Sequence, residues 1–170
     1  MGEHICFRRN ERLATVNPHW RGNPVVRGKF VNRQHRFRPG MGSVLKWRLS
    51  PNPQRKEKKS VKWSPKLNYL RSLDGVVGNS LIWLGHNSFF LQLGRKRIMF
   101  DPVFGDIPFV KRQSDFPANP DIFTDIDYLL ISHDHFDHLD KQSVARLVKN
   151  NPGMKLFCGL GTGELIKGWF

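Results

Sequence analysis

The sequence contains no apolar run that approaches the roughly 18 residues of a membrane-spanning helix, and its amino terminus lacks the apolar stretch of a secretory signal. Cysteine is also scarce, since Cys6 and Cys158 lie far apart in unlike surroundings. Such a pair indicates free thiols in a reducing compartment rather than a disulfide framework. We therefore expect a cytoplasmic protein, which leaves peripheral contact with a membrane surface open.

Acidic side chains are rare in the first 70 residues, which hold 17 Lys or Arg against 3 Glu and so carry the whole net charge of +14. Residues 71–170 hold 11 basic and 11 acidic side chains. A basic arm of this kind is typical of proteins that meet polyanions, such as a phospholipid surface, an anionic substrate or a nucleic acid. A solvated, partly disordered leader is an equally open interpretation.

The composition changes near residue 70. Residues 1–70 are rich in Pro, Gly, Asn and Arg without sustained periodicity, and predict an extended basic segment. In residues 71–170, apolar runs and turn residues predict five strands and two helices. The predicted strands are 80–84, 88–93, 97–100, 128–131 and 155–158, and the predicted helices are 141–150, with Asp140 as its N-cap, and a last one after residue 163. This alternation predicts an α/β (α+β) layer.

Three histidines and two aspartates lie within residues 133–138, one residue after the predicted strand 128–131. Side chains two apart on an extended backbone point the same way, so His133 and His135 can face one ion. After a bend, Asp137 and His138 can turn toward a second ion roughly 3.5–4 Å away. This donor set suits two Zn²⁺ ions, with other divalent metals as alternatives. A histidine-rich solvated loop is the plain alternative to a metal site.

The same loop resembles the His-x-His-x-Asp-His signature of the metallo-β-lactamase superfamily. Two further segments, Trp83-Leu84-Gly85-His86-Asn87-Ser88 and Phe100-Asp101-Pro102-Val103-Phe104, are similar to the branch that contains N-acyl-phosphatidylethanolamine-hydrolysing phospholipase D. The resemblance implies the first half of an αββα sandwich with a two-metal site at one edge. It also implies hydrolysis of a phosphodiester in a phospholipid, with Asp137 as a metal ligand and catalytic residue.

We expect supporting roles for three more residues, of which the role of Asp101 is implied by the resemblance. Asp101 would accept an N–H from a ligand histidine and so fix the orientation of its ring. Asp134 lies between the ligands and would at most handle a proton. His86 follows a predicted strand, and it either supports the site or is a hydrogen-bonded structural residue of its turn.

No histidine follows His138, although the superfamily completes its two metal sites with two further histidines and an aspartate later in the chain. We therefore expect a truncated amino-terminal half of the domain. Ligands supplied by another subunit are the alternative, for which the sequence offers no support.

Three functions remain open on the sequence alone. A phospholipid phosphodiesterase would use the basic segment at the membrane and an apolar entrance to the site, formed by Phe104, Ile107, Pro108, Phe109 and Val110. A nuclease or lactonase-like hydrolase of the same fold is an alternative, and nucleic-acid binding would then weaken steeply with salt. The third is an inactive fragment or metal-binding remnant. The sequence does not determine the oligomeric state.

Overall fold

The computed structural model describes residues 4–13, 17–31, 40–63, 65–108 and 112–170. The chain divides into two compact units, Met1–Lys62 and Trp63–Phe170. The domain boundary predicted at residue 70 falls inside the second unit and stays a prediction. Within the described ranges, no helix is long and apolar enough to cross a membrane.

The first unit contains short strands and helices in a region where the sequence predicts extended chain. Arg27 and Gly28 both have positive φ and form the two-residue turn between the second and third strands, as in a tight hairpin. The strands are β1 (Cys6–Arg8), β2 (Asn23–Val26) and β3 (Lys29–Phe30), paired antiparallel in that order, and the helices are α1 (Met41–Leu49) and α2 (Arg55–Ser60). Neither helix has a buried residue, which explains why no periodic apolar pattern marks them. The basic run 33–38 lies outside the described residues.

The second unit is built on a five-stranded sheet whose spatial order follows the chain. The first three strands form an antiparallel meander, and the last two are added in parallel. They are β4 (Ser80–Gly85), β5 (Ser88–Leu93), β6 (Lys96–Phe100), β7 (Tyr128–Ile131) and β8 (Lys155–Cys158). All five predicted strands are confirmed, with a difference of one residue at β4 and at β6.

Helix α3 (Lys141–Asn150) makes the crossover between the parallel strands β7 and β8, and α4 (Thr162–Lys167) follows β8. Parallel neighbours need such a crossover because a tight turn cannot join them. Asp140 begins α3 as predicted, since its Oδ2 accepts the backbone N–H of Ser143 at 2.9 Å.

The core lies on one face of this sheet. Phe90, Met99 and Leu129 are direct neighbours across β5, β6 and β7, and all three are fully buried. Val144 and Leu147 of α3 belong to the same cluster, so the helix covers this face. The α/β (α+β) class is confirmed, as one helical layer on one sheet, the first half of an αββα sandwich.

Candidate metal centre

The predicted donors meet at one end of the five-stranded sheet. Asp101 follows β6 and His133 follows β7 by one residue, and these two strands are parallel, so their carboxyl ends share an edge. Strand β4 runs in the same direction as β6 because both are antiparallel to β5. The β4–β5 turn, His86-Asn87, therefore lies at this edge too.

The four predicted ligands form two close pairs. His133 Nε2 lies 3.0 Å from His135 Nδ1, and His138 Nε2 lies 3.5 Å from Asp137 Oδ2. Two atoms that bind one tetrahedral zinc ion at about 2.0–2.1 Å are roughly 3.3–3.4 Å apart. Both pairs are thus spaced like two ligands of a single ion, and the division between them is the one expected from the spacing in sequence. The rings of His133 and His138 are 3.9 Å apart between centroids, which keeps the pairs adjacent.

Neither pair is a complete site. Among the residues that the structure describes, no three His, Cys, Asp or Glu side chains are grouped so that they could hold a metal ion. Tetrahedral sites in proteins have at least three protein ligands. The donor chemistry therefore fits metal, while each ion would need ligands beyond its pair, and the roles of His133, His135, Asp137 and His138 stay predictions.

Asp101 binds residues 132–138, which we call the metal loop, with both carboxylate oxygens. Its Oδ1 accepts the Ser132 backbone N–H at 2.8 Å, and its Oδ2 lies 2.6 Å from Ser132 Oγ and 2.8 Å from His138 Nδ1. A carboxylate can only accept hydrogen bonds, so Nδ1 of His138 carries the hydrogen. The lone pair is then on Nε2, the atom that faces Asp137. This is the supporting contact that the family resemblance implies for Asp101.

Ser132 fixes the tautomer of His133 through its hydroxyl group. Its hydroxyl donates to Asp101, so its oxygen is left to accept a hydrogen from His133 Nδ1 at 2.9 Å. The lone pair of His133 is then on Nε2, the atom that faces His135. The sequence interpretation assigned no role to Ser132, although its place between β7 and the first histidine was a usable signal.

The backbone of Asp101 is held in a sparsely populated conformation, with φ of 39°. Its N–H donates to the Leu130 carbonyl at 3.0 Å, and its carbonyl accepts from the buried Ser88 hydroxyl at 2.8 Å. Ser88 Oγ also accepts the Val103 N–H at 2.9 Å. A residue keeps such a sparsely populated φ only where the surrounding structure holds it there. Here the bonds to Leu130 and Ser88 hold the Asp101 backbone so that its carboxylate faces the metal loop.

The β4–β5 turn contacts the pair formed by Asp137 and His138. His86, with φ of 53°, places Nε2 3.1 Å from Asp137 Oδ2. Asn87 Nδ2 lies 3.3 Å from the same oxygen and 3.0 Å from His138 Nε2. The hydrogen bond from His86 is the main reason that the pKa of Asp137 lies below its ordinary value. Asn87 had no predicted role, although it adjoins His86 in the segment that carries the resemblance.

A cavity of about 370 Å³ opens beside the loop. Its lining includes His86, His135 and Asp137 together with Asp134. A larger cavity of about 810 Å³ lies at the other end of the sheet, near the β5–β6 turn, and contains none of the predicted donors. Of these two cavities, only the smaller one adjoins the predicted donors.

Only part of the predicted apolar entrance lines this cavity. Ile107 and Pro108 do so. Phe104 instead stacks on Phe123 with ring centroids 5.8 Å apart and packs against the core cluster. Phe109 and Val110 lie outside the described residues.

Residues 96–170 match the model of the Beta-lactamase superfamily domain. This segment contains Asp101, the whole metal loop and α3. In this segment the chain is similar to the metallo-β-lactamase superfamily.

Two relatives show how far the metallo-β-lactamase match extends. N-acyl-phosphatidylethanolamine-hydrolyzing phospholipase D 1 of Caenorhabditis elegans is 28% identical over 160 residues, which cover 85% of this chain and 45% of the relative. A metal-dependent hydrolase of Saccharolobus solfataricus is 35% identical over 77 residues, or 45% of this chain and 31% of the relative. The chain thus spans less than half the length of either protein. Among solved structures, CmlA, a diiron β-hydroxylase from Streptomyces venezuelae, aligns at 20% identity over 75% of this chain and 24% of that one, with a TM-score of 0.35.

Replacing Asp101 by Asn should weaken metal binding about 10–100-fold, the usual cost of removing a partner that orients a ligand histidine. The amide has only one acceptor oxygen, so it cannot keep the three hydrogen bonds to Ser132 and His138. Isothermal titration with Zn²⁺ measures the affinity. Asp134→Asn is the matched control, and an equal loss in both variants would remove Asp101 from its supporting role.

Proposed function

We propose that this chain is part of a metal-dependent hydrolase and that its sheet edge binds two cations. The observation that carries the proposal is the arrangement of His133, His135, Asp137 and His138 in two pairs with ligand spacing. The descriptions of both relatives as hydrolases support it, one of them by the words metal-dependent. Zinc is the proposed metal because imidazole and carboxylate donors suit it.

In this proposal each pair of donors binds one cation, and Asp101 orients the histidines. His133 and His135 would hold one cation, and Asp137 and His138 the other. When bound, two such cations lower the pKa of a water molecule and stabilise the negative charge that develops on phosphoryl oxygens. Asp101 keeps the imidazoles in the tautomers that present a lone pair, as its contacts with Ser132 and His138 indicate.

The β4–β5 turn would keep the second pair ready for its cation. His86 and Asn87 both bond to Oδ2 of Asp137, which fixes the carboxylate beside His138. The low pKa of Asp137 keeps this group ionised, as a metal ligand must be.

We propose a phospholipid phosphodiester, such as N-acyl-phosphatidylethanolamine, as the substrate. The Caenorhabditis elegans relative is described as hydrolysing this lipid. The cavity beside Asp137 has apolar walls at Ile107, Pro108 and Phe136, which suit an acyl chain or glycerol backbone next to the reacting phosphate.

The first unit supplies features that suit a membrane surface in the cytoplasm. Helix α1 exposes Trp47 and Leu49 by about three quarters of their surface and carries Lys46 and Arg48 without an acidic residue. Helix α2 adds four more basic residues. Exposed tryptophan and clustered Lys or Arg are the side chains that bind the interface of anionic membranes.

Metal binding without hydrolysis is the second candidate. It is favoured by the absence, among the described residues, of any group of three donors around one point. An incomplete set of ligands holds a cation weakly and leaves it poorly placed for catalysis.

The metal-loaded chain should hydrolyse N-acyl-phosphatidylethanolamine in mixed vesicles, with phosphatidic acid as a product. His133→Ala combined with His135→Ala should lower the rate by at least 10²-fold, because the first cation loses both donors. Mass spectrometry of the lipid products measures this. His19→Ala is the control for loss of a histidine in the first unit. Metal binding by the wild-type chain without lipid products would establish the second candidate instead.

Replacing Trp47 by Glu should reduce binding to anionic vesicles several-fold, because the change removes an interfacial side chain and adds a negative charge. Co-sedimentation with vesicles that contain phosphatidylserine measures the bound fraction. Trp63→Glu is the matched control, since both tryptophans are 78% exposed and Trp63 lies in the second unit. Unchanged binding of the Trp47 variant would exclude α1 as the contact.

A further inference from the structure

Arg112 lies in the segment between β6 and β7, and its side chain joins the ends of two strands. Its Nη2 donates to the Leu84 carbonyl at 2.9 Å, and its Nη1 donates to the Val103 carbonyl at 3.2 Å. Leu84 belongs to β4, and Val103 follows β6 by three residues. Strand β5 lies between β4 and β6, so the two strand ends are not paired in the sheet. The guanidinium of Arg112 connects them directly.

The Leu84 carbonyl belongs to an irregular point of β4. The register between β4 and β5 shifts between Trp83 and Gly85, which indicates a β-bulge. Bulges bend a strand and redirect the side chains next to them. Leu84 and Val103 are both fully buried, and a buried carbonyl without a partner costs free energy comparable to a lost hydrogen bond. The bonds from Arg112 therefore satisfy the bulge and fix the direction in which the chain leaves β4.

Gly85 leaves room for the guanidinium beside the backbone. It has φ of 95°, a conformation that favours glycine, and a Cβ added there would lie 2.5 Å from Arg112 Nη2. The guanidinium thus lies against the backbone that leads into the β4–β5 turn. The next two residues, His86 and Asn87, place side-chain nitrogen atoms 3.1 and 3.3 Å from Asp137 Oδ2.

The Arg112 side chain is also anchored to the core aromatic residues. Its Cζ lies 5.4 Å from the centroid of the Phe116 ring, a cation–π contact. Phe116 packs edge to face with Phe104 and Phe123. Burial lowers the pKa of the Arg112 guanidinium, and the Asp106 carboxylate offsets only part of this effect. Because burying a cation costs free energy, the use of this arrangement lies in the two carbonyls that the cation holds.

We propose that Arg112 is a positioning residue for the cation assigned above to Asp137 and His138. By holding the carbonyls of Leu84 and Val103, it fixes the β4–β5 turn relative to the segment that follows β6. The turn then keeps its bonds to Asp137 Oδ2. The effect on the cation rests on the metal binding proposed above, whereas the hold on the turn does not.

Loss of Arg112 should affect one cation and not the other. The β4–β5 turn bonds to the pair formed by Asp137 and His138. In the other pair, the tautomer of His133 is fixed by Ser132 instead. A side chain that only stabilised the fold would affect both pairs alike. The difference between the two pairs therefore separates positioning from general stability.

The first measurement is the Co²⁺ affinity of the full chain in two backgrounds, each with one pair of donors left. His133→Ala with His135→Ala keeps the second pair, and Asp137→Ala with His138→Ala keeps the first pair. Adding Arg112→Met should weaken binding about 10-fold where the second pair is left, the lower end of the loss when a partner of a ligand is removed. Binding should be unchanged where the first pair is left. An equal loss in both backgrounds, or no loss in either, would overturn the inference.

Arg97→Met is the matched control. Arg97 is also partly buried and donates to a backbone carbonyl, that of Thr124 at 3.2 Å, but it lies at the other end of the sheet. This change should leave both affinities unchanged, and a loss equal to that of Arg112→Met would overturn the inference.

Arg112→Lys separates charge from geometry, and it carries the same test if circular dichroism shows that Arg112→Met does not fold. Lysine keeps the charge but lacks the planar fork that reaches two carbonyls. We expect weaker binding at the second pair in this variant too. An affinity equal to that of the unchanged residue would overturn the bridge between the two strand ends.

A second measurement needs no metal. The Trp83 indole N–H donates to the His86 carbonyl at 2.9 Å, so its cross-peak in a ¹H–¹⁵N NMR spectrum reports on the β4–β5 turn. Trp83→Phe assigns the peak. It should shift in Arg112→Met and keep its position in Arg97→Met, and an unmoved peak in Arg112→Met would overturn the hold on the turn. A shifted peak in a chain that binds no cobalt would keep this role of Arg112 and remove the proposed metal site.

Discussion

The carboxylate of Asp101 connects the metal loop to the sheet, and the orientation of two of the loop's histidines depends on it. One oxygen holds the Ser132 backbone, and the other holds both the Ser132 hydroxyl and His138. Through these bonds a single side chain sets the tautomers of His133 and His138. The strained backbone of Asp101 is fixed in turn by bonds to Leu130 and Ser88, so the orientation of the imidazoles is determined by the buried strands.

The order of the strands explains how short segments that are far apart in the sequence meet at one site. A meander followed by a parallel strand places the ends of β4, β6 and β7 at one edge, and each end supplies one component. The β4 end supplies His86 and Asn87, the β6 end supplies Asp101, and the β7 end supplies the donors. The alternation of side chains along β5 and β6 buries Phe90 and Met99 in the core on one face of this sheet.

The elements of the second unit were predictable because apolar runs bounded by turn residues are strong local signals. The metal loop was predictable because its donors lie close together in the sequence. The bonds of Ser132 and Asn87 were not predicted, because they join segments more than 30 residues apart and depend on strand order. Phe104 was assigned to the entrance from its place in a loop, yet it packs against the core. The strands and helices of the first unit are short and largely exposed, so they left no periodic pattern.

The central claim is that two pairs of side chains at this edge hold cations. Titration with Co²⁺, followed by visible absorption and by metal analysis of the dialysed protein, tests it directly. We predict bound cobalt in the wild-type chain, and a partial loss both in His133→Ala with His135→Ala and in Asp137→Ala with His138→Ala, because each variant removes one pair. The variant that lacks all four donors should bind none. Equal cobalt content in the wild type and in that variant would contradict the account.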